Sequence, residues 1–171
     1  MKSLEETQNY YNGISKGYSN LYHQEQIEKI QEVNSYFISL GKILDLGAGD
    51  GVLNQFIDSS CELFSIDLSE ELLKLNSNDM SRKFVGNVEK LSFEDNSFDM
   101  ICSFSMLQDV PDIQKAVYEI QRVGKSGCRC IISFVRWGSR VEEMKKLLKQ
   151  ISKETVFEKE LEKDYVMVFS L

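Results

Sequence analysis

The sequence predicts an α/β protein of the doubly wound, Rossmann-like kind. The expected architecture is a mostly parallel seven-stranded sheet with helices at the N-terminus and an antiparallel strand at the C-terminal end. Three observations predict it. Short apolar runs alternate with helical periodicity from residue 41 onward, a glycine-rich turn follows the first of those runs, and two strand-like runs close the chain. Strands separated by helices form βαβ units with right-handed crossovers, and their sheet is covered on both faces.

Taken in order, Leu4–Ser15 and Gln24–Leu40 read as two helices. In the second, Ile27, Ile30, Val33, Phe37 and Ile38 recur at spacings of three and four, and Gly41 stops it. Lys42–Leu46 is a strand, Val52–Ile57 opens a helix, and Leu63–Asp67 is a second strand. Ser69 caps a helix through Leu75, and Lys83–Val85 is a short third strand. Phe98–Phe104 is the fourth strand, a helix runs from about Asp112 to Val123, and Arg129–Val135 is the fifth strand. A helix over Val141–Ile151 and a hairpin of Thr155–Glu160 and Tyr165–Leu171 end the chain.

With 171 residues, the chain is expected to form one domain, residues 1–40 as a helical cap and 41–171 as an α/β core. No apolar run approaches the roughly 18 residues of a membrane span. The acidic, helix-like start Ser3-Leu4-Glu5-Glu6 lacks a signal-peptide core, so a cytoplasmic, complete protein with no membrane contact is expected. A net charge of −7 argues against direct nucleic-acid binding without a local basic patch or a basic partner. Cys61, Cys102, Cys128 and Cys130 lack the spacing of a zinc knuckle or a redox pair and read as small core hydrophobes, so no metal is expected.

The chemistry is carried by Ile43-Leu44-Asp45-Leu46-Gly47-Ala48-Gly49-Asp50-Gly51, a strand ending in an acid followed by alternate glycines. Glycine lets the backbone turn sharply and approach a ligand, and the helix start behind it offers unpaired N–H groups. The spacing is G-x-G-x-G, not the G-x-G-x-x-G of a dinucleotide site. About twenty residues on, Asp67 ends the next strand, where an acid can accept both hydroxyls of a ribose. The alternative role of Asp67, capping the next helix, can be filled by Ser69.

Together these pieces resemble the motifs of class I S-adenosylmethionine-dependent methyltransferases, with the likeness covering roughly residues 10–135. The resemblance implies S-adenosyl-L-methionine as cofactor, with Asp45, Gly47, Ala48, Gly49, Asp67 and Leu68 around its methionine and ribose. Gly86-Asn87-Val88 is similar to the family's adenine-contacting loop; most relatives have Asp where this chain has Asn87, whose amide oxygen can serve the same contact. Ser103 lies in the strand end that resembles the wall of the methyl-transfer site. Tyr11 and Tyr18 fall in a segment similar to the family's aromatic entry, with docking of a helix on the sheet as the alternative.

Methyl transfer from an activated sulfonium needs mainly positioning, which can supply roughly 7–11 kcal/mol of a barrier. A base is needed only for a protonated acceptor. Asp109 is the candidate catalytic residue, with capping of the helix after Pro111 as its alternative. His23 reads as a surface or capping residue, Trp137 with Arg136 and Arg140 as a rim or an anchor, and Lys145, Lys146 and Lys149 as a solvated face. No lid is visible after the fifth strand, so an open site is expected, one suited to a macromolecular acceptor (tRNA, rRNA or protein) or completed by a small activator protein. A small-molecule acceptor and a catalytically silent partner subunit are the alternatives. A nicotinamide-dependent oxidoreductase is disfavoured by the loop spacing and by the lack of a second domain.

Overall fold

Apolar alternation in the short runs pairs them into one sheet in the computed structural model, which describes residues 3–77 and 81–171. The strands are β1 (Gly41–Leu46), β2 (Cys61–Asp67), β3 (Ser81–Val85), β4 (Phe98–Phe104), β5 (Gly124–Val135), β6 (Glu154–Glu160) and β7 (Asp164–Ser170). Their spatial order is β3-β2-β1-β4-β5-β7-β6. The first five are parallel, whereas β7 runs antiparallel to β5 and β6 antiparallel to β7. Strand order reverses between β1 and β4, which opens a crevice at their carboxyl ends.

Because side chains alternate along a strand, each central strand feeds two cores. Leu44, Leu46, Phe64, Ile66, Ile101 and Ile132 pack under α3 (Ile113–Val123) and α4 (Val141–Ile151). Ile43, Leu63, Met100, Cys102 and Ile131 face the other way, against Ile30 and Val33 at the end of α1 (Leu4–Glu32). Each fully buried Leu, Ile or Phe contributes about 1.5–3 kcal/mol. Cys102, Cys128 and Cys130 are buried and all four thiols are free, in keeping with core roles.

Three elements differ from expectation. The two N-terminal helices are one helix of 29 residues. Residues 16–23 lack apolar periodicity, but Tyr11, Tyr18 and Tyr22 form a ladder of ring contacts at 6.3 and 5.0 Å that carries the helix across them. That helix also stops at Glu32, followed by a 3-10 turn at Asn34–Tyr36, because Asn34 and Ser35 bond readily to nearby backbone and Phe37 adopts an extended conformation. The helix expected over 52–57 is a 3-10 turn, Val52–Gln55, cut short where Asp58 takes the N–H of Ser60. The short α2 (Glu70–Leu75) is capped by Ser69, whose Oγ accepts the Leu72 N–H at 3.2 Å.

Candidate functional site

The crevice between β1 and β4 is shaped by the glycine loop. Gly47 (φ 74°) and Gly49 (φ 55°) occupy left-handed backbone, where a side chain is strained. A Cβ on Gly47 would lie 2.5 Å from Met106 Cγ, and one on Gly49 would touch the Tyr18 ring at 3.5 Å. The loop is pinned to β2 by the Gly47 and Ala48 N–H groups, which donate to the Ile66 carbonyl at 2.9 and 3.0 Å.

Asp67 ends β2 inside this crevice. Its Oδ2 accepts the Gly49 N–H and its Oδ1 the Ser69 N–H, each at 2.8 Å. A carboxylate has about four lone-pair sites, so the group retains acceptor capacity. Burial pushes the Asp67 pKa up, and these backbone N–H bonds partly offset it. Asp45 lies deeper, and burial, reinforced by the charge of Asp67, pushes it up to about 8.

Two cavities of about 70 and about 30 Å³ share Tyr18, Gly47 and Phe104 as walls. The larger gathers Tyr11, Tyr18, Gly47, Asp67, Leu68, Asn87, Val88 and Asp109, all sequence candidates. The smaller gathers Asp45, Ala48 and Gly49, again with Tyr18 and Gly47. Ser103 lines neither: it is fully buried, and its hydroxyl has no hydrogen-bond partner among the described residues. The Asn87 amide oxygen is engaged by the Glu89 N–H at 2.9 Å, which leaves one lone pair and the amide N–H groups for other contacts.

The expectation of an open site is corrected by α1. Its N-terminal half supplies Leu4, Thr7, Tyr11 and Tyr18 to the larger cavity and so roofs it. Gln8 Nε2 donates to the Leu68 carbonyl at 2.9 Å, Ser69 Oγ donates to Asn12 Oδ1 at 2.6 Å, and Tyr11 Oη donates to Asp109 Oδ2 at 2.8 Å. Burial and the Asp109 charge hold the Tyr11 pKa far above the ordinary phenol value, so Tyr11 stays a donor. The covering element is therefore the N-terminal helix and not an insertion after the fifth strand.

Other candidates lie outside the two cavities. His23 and Asp50 line a separate cleft, with Nδ1 of His23 3.9 Å from Asp50 Oδ2. The Arg136 guanidinium stacks over the exposed Trp137 ring at 5.2 Å, and Arg140 holds the Val110 and Pro111 carbonyls that border the larger cavity. Lys145 sits over the Tyr165 ring at 4.5 Å and Lys149 pairs with Glu158 at 3.0 Å. Sequence reasoning missed Thr7 as a lining residue; within Ile101–Leu107, the strand end that resembles the wall of the methyl-transfer site, Ser105 and Met106 line the cavity and Ser103 does not.

The donor set suits S-adenosylmethionine: a ribose-competent carboxylate, a glycine cradle that a Cβ would fill, and buried aromatic walls. Tyr11 and Tyr18 of α1 line the larger cavity beside Asp67, so they would border a bound nucleoside.

Residues 44–132, just over half of the chain, match the methyltransferase-domain family. A demethylmenaquinone methyltransferase of Staphylococcus aureus is 30% identical over 138 residues, 72% of this chain and 57% of that protein. The ubiquinone/menaquinone biosynthesis C-methyltransferase UbiE of Idiomarina loihiensis is 34% identical over 103 residues, 53% of this chain and 41% of that protein. The chain thus spans about half the length of the curated relatives it matches. Among solved structures, a chain in the complex of the Haloferax volcanii Trm112 methyltransferase activator with its methyltransferase-like partner superposes with a TM-score of 0.78. Identity there is 13%, covering 94% of this chain and 96% of that one. A methyltransferase-like protein of Methanococcus maripaludis gives 0.73 at 19% identity, covering 99% and 94%. No helix among the described residues is long and apolar enough to cross a membrane. The glycine cradle, the acid ending β2, the strand order and the family match agree, and the chain belongs to the class I S-adenosylmethionine-dependent methyltransferases.

Proposed function

We propose that this protein transfers a methyl group from S-adenosylmethionine to a small, largely apolar acceptor. The observation that carries the cofactor reading is Asp67, which lines the cavity, is held by the Gly49 and Ser69 N–H groups and keeps acceptor capacity. When bound, S-adenosylmethionine supplies an electrophilic methyl carbon. The chain's own work is positioning: Asp67 accepts ribose hydroxyls, the Gly47–Gly49 loop permits close approach, Asn87 and Val88 border the adenine position, and the α1 tyrosines exclude water. Asp109, bonded to Tyr11, is positioned to orient the acceptor or the roof.

A small acceptor is supported by the roof and by the apolar walls Leu4, Leu72, Val88, Met106, Val110 and Pro111. The names of the curated quinone methyltransferases point the same way. A partner-completed site is the second reading. It is favoured by Phe84 and Val85, exposed on edge strand β3 immediately before the Gly86–Asn87 loop, and by the activator complex among the neighbours.

Calorimetric titration with S-adenosylhomocysteine, with NADH as the control, tests the cofactor reading. Wild type is expected to bind the first alone. Asp67→Ala should weaken it ten- to a hundredfold, since a hydrogen bond to a charged group contributes about 1.5–3 kcal/mol. Equal affinity in a folded variant sinks the ribose assignment. Saturable binding of 1-naphthol to the loaded protein is expected for a small acceptor, and methylation of bulk tRNA instead would overturn that choice.

A further inference from the structure

Ser105, the residue after β4, is held on every side. Its backbone lies at φ 51°, uncommon for a residue other than glycine. Its N–H donates to the Ser133 carbonyl at 3.0 Å and to Ser133 Oγ at 3.1 Å, and its carbonyl accepts from Gln108 Nε2. Its Oγ donates to Asp164 Oδ1 at 2.8 Å and accepts from Lys29 Nζ. Lys29 and Asp164 pair at 2.8 Å with both side chains 2% exposed, and neither borders the cavity; Ser105 does.

A hydroxyl has one proton and two lone pairs. The Ser105 proton is committed to a carboxylate and one lone pair to an ammonium, both charge-assisted bonds of the stronger class. What remains is one lone pair on a residue that borders the larger cavity. Ser105 can therefore accept from a ligand but cannot donate to it. A buried ion pair is costly to maintain, and here it fixes the polarity of a single hydroxyl at the site.

Resting on the methyltransferase reading above, we infer that Ser105 selects methyl acceptors that carry an O–H or N–H group. An acceptor with an ether or carbonyl oxygen at that place meets a lone pair, and the mismatch leaves two acceptors face to face. Asp164 and Lys29 are the positioning residues that set this preference.

The test uses the full chain saturated with S-adenosylhomocysteine and two probes that share a ring and differ at the oxygen, 1-naphthol with its O–H and 1-methoxynaphthalene with a methyl in its place, titrated calorimetrically. Wild type should favour the naphthol by about tenfold or more, the worth of one hydrogen bond plus the unpaired acceptor. Ser105→Gly, which accepts the left-handed backbone without strain, should bring the preference below about threefold in protein saturated with S-adenosylhomocysteine. Asp164→Asn keeps the hydroxyl but offers it an amide N–H, freeing its proton; the methoxy probe should then gain, a change that loss of packing would not produce. A preference unchanged in Ser105→Gly, no preference in wild type, or no binding of either probe overturns the inference. Failure to bind S-adenosylhomocysteine is a different result, which removes the cofactor reading and this inference with it.

Discussion

At the residue scale, Asp45 is the most perturbed acid of the site. Its carboxyl lies under Tyr18 and the glycine loop, and burial, with Asp67 nearby, lifts it to about 8. An unfolded aspartate titrates near about 3.9, so the folded chain keeps a proton that the unfolded chain has lost between those values. Stability contributed by this group is therefore complete below about pH 4 and is lost as pH rises toward 8. Asp45→Asn mimics the protonated form. Its stability relative to wild type, from urea melts of unliganded protein, should climb between pH 5 and 8 by up to about 1.4 kcal/mol per unit. It should level off above pH 8, and a difference that stays constant from pH 5 to 9 would show that Asp45 is ionised throughout. Gly47, Gly49 and Asp67 were legible in the sequence because what they do is local. A left-handed turn selects glycine, and an acid at a strand tip beside a helix start needs no distant partner to be recognised.

At the element scale, α1 decides whether the site is open. Ser3 caps it, accepting the Glu6 N–H at 3.1 Å while Glu6 Oε2 takes the Ser3 N–H at 2.7 Å, a capping box. Yet the helix carries Gly13 and Gly17 between the roof tyrosines, in helical backbone and with nothing within 4 Å of a built Cβ. Glycine costs a helix interior about 0.8–1.0 kcal/mol relative to alanine. Gly13→Ala and Gly17→Ala should each raise stability by up to about 1 kcal/mol and slow hydrogen exchange across residues 10–20. If the roof must open to admit the cofactor, association of S-adenosylhomocysteine slows as well. No stabilisation would mean that α1 does not hold its helical form in solution. The continuity of this helix was not legible because ring-to-ring packing of Tyr11, Tyr18 and Tyr22 sustains it, and that packing appears in no local periodicity.

At the scale of the whole molecule, the Lys29–Asp164 pair ties the long N-terminal helix to β7 near the chain's end, across the tip of β4. Removing one partner of a buried pair strands the other, at a cost of about 3–5 kcal/mol. Lys29→Met should lower the unfolding free energy by that amount in chemical denaturation. The double variant Lys29→Met with Asp164→Leu should recover most of it. A loss below about 1 kcal/mol in the single variant would place these charges in contact with water.

The sequence alone determined the α/β class, the parallel sheet with its antiparallel close, the glycine cradle and the acid at the tip of β2. Each is set by periodicity or backbone conformation within a few consecutive residues. The tertiary structure decided the rest: which element covers the crevice, that Ser103 turns into the core, and that Ser105 has its hydroxyl polarised. Lys29 and Asp164 lie 76 and 59 residues from Ser105 in the chain. In the sequence they are one lysine among many and one acid in a turn, and only the return of α1 and β7 to the β4 tip joins them, because a buried charge is stable only where its partner is brought to it.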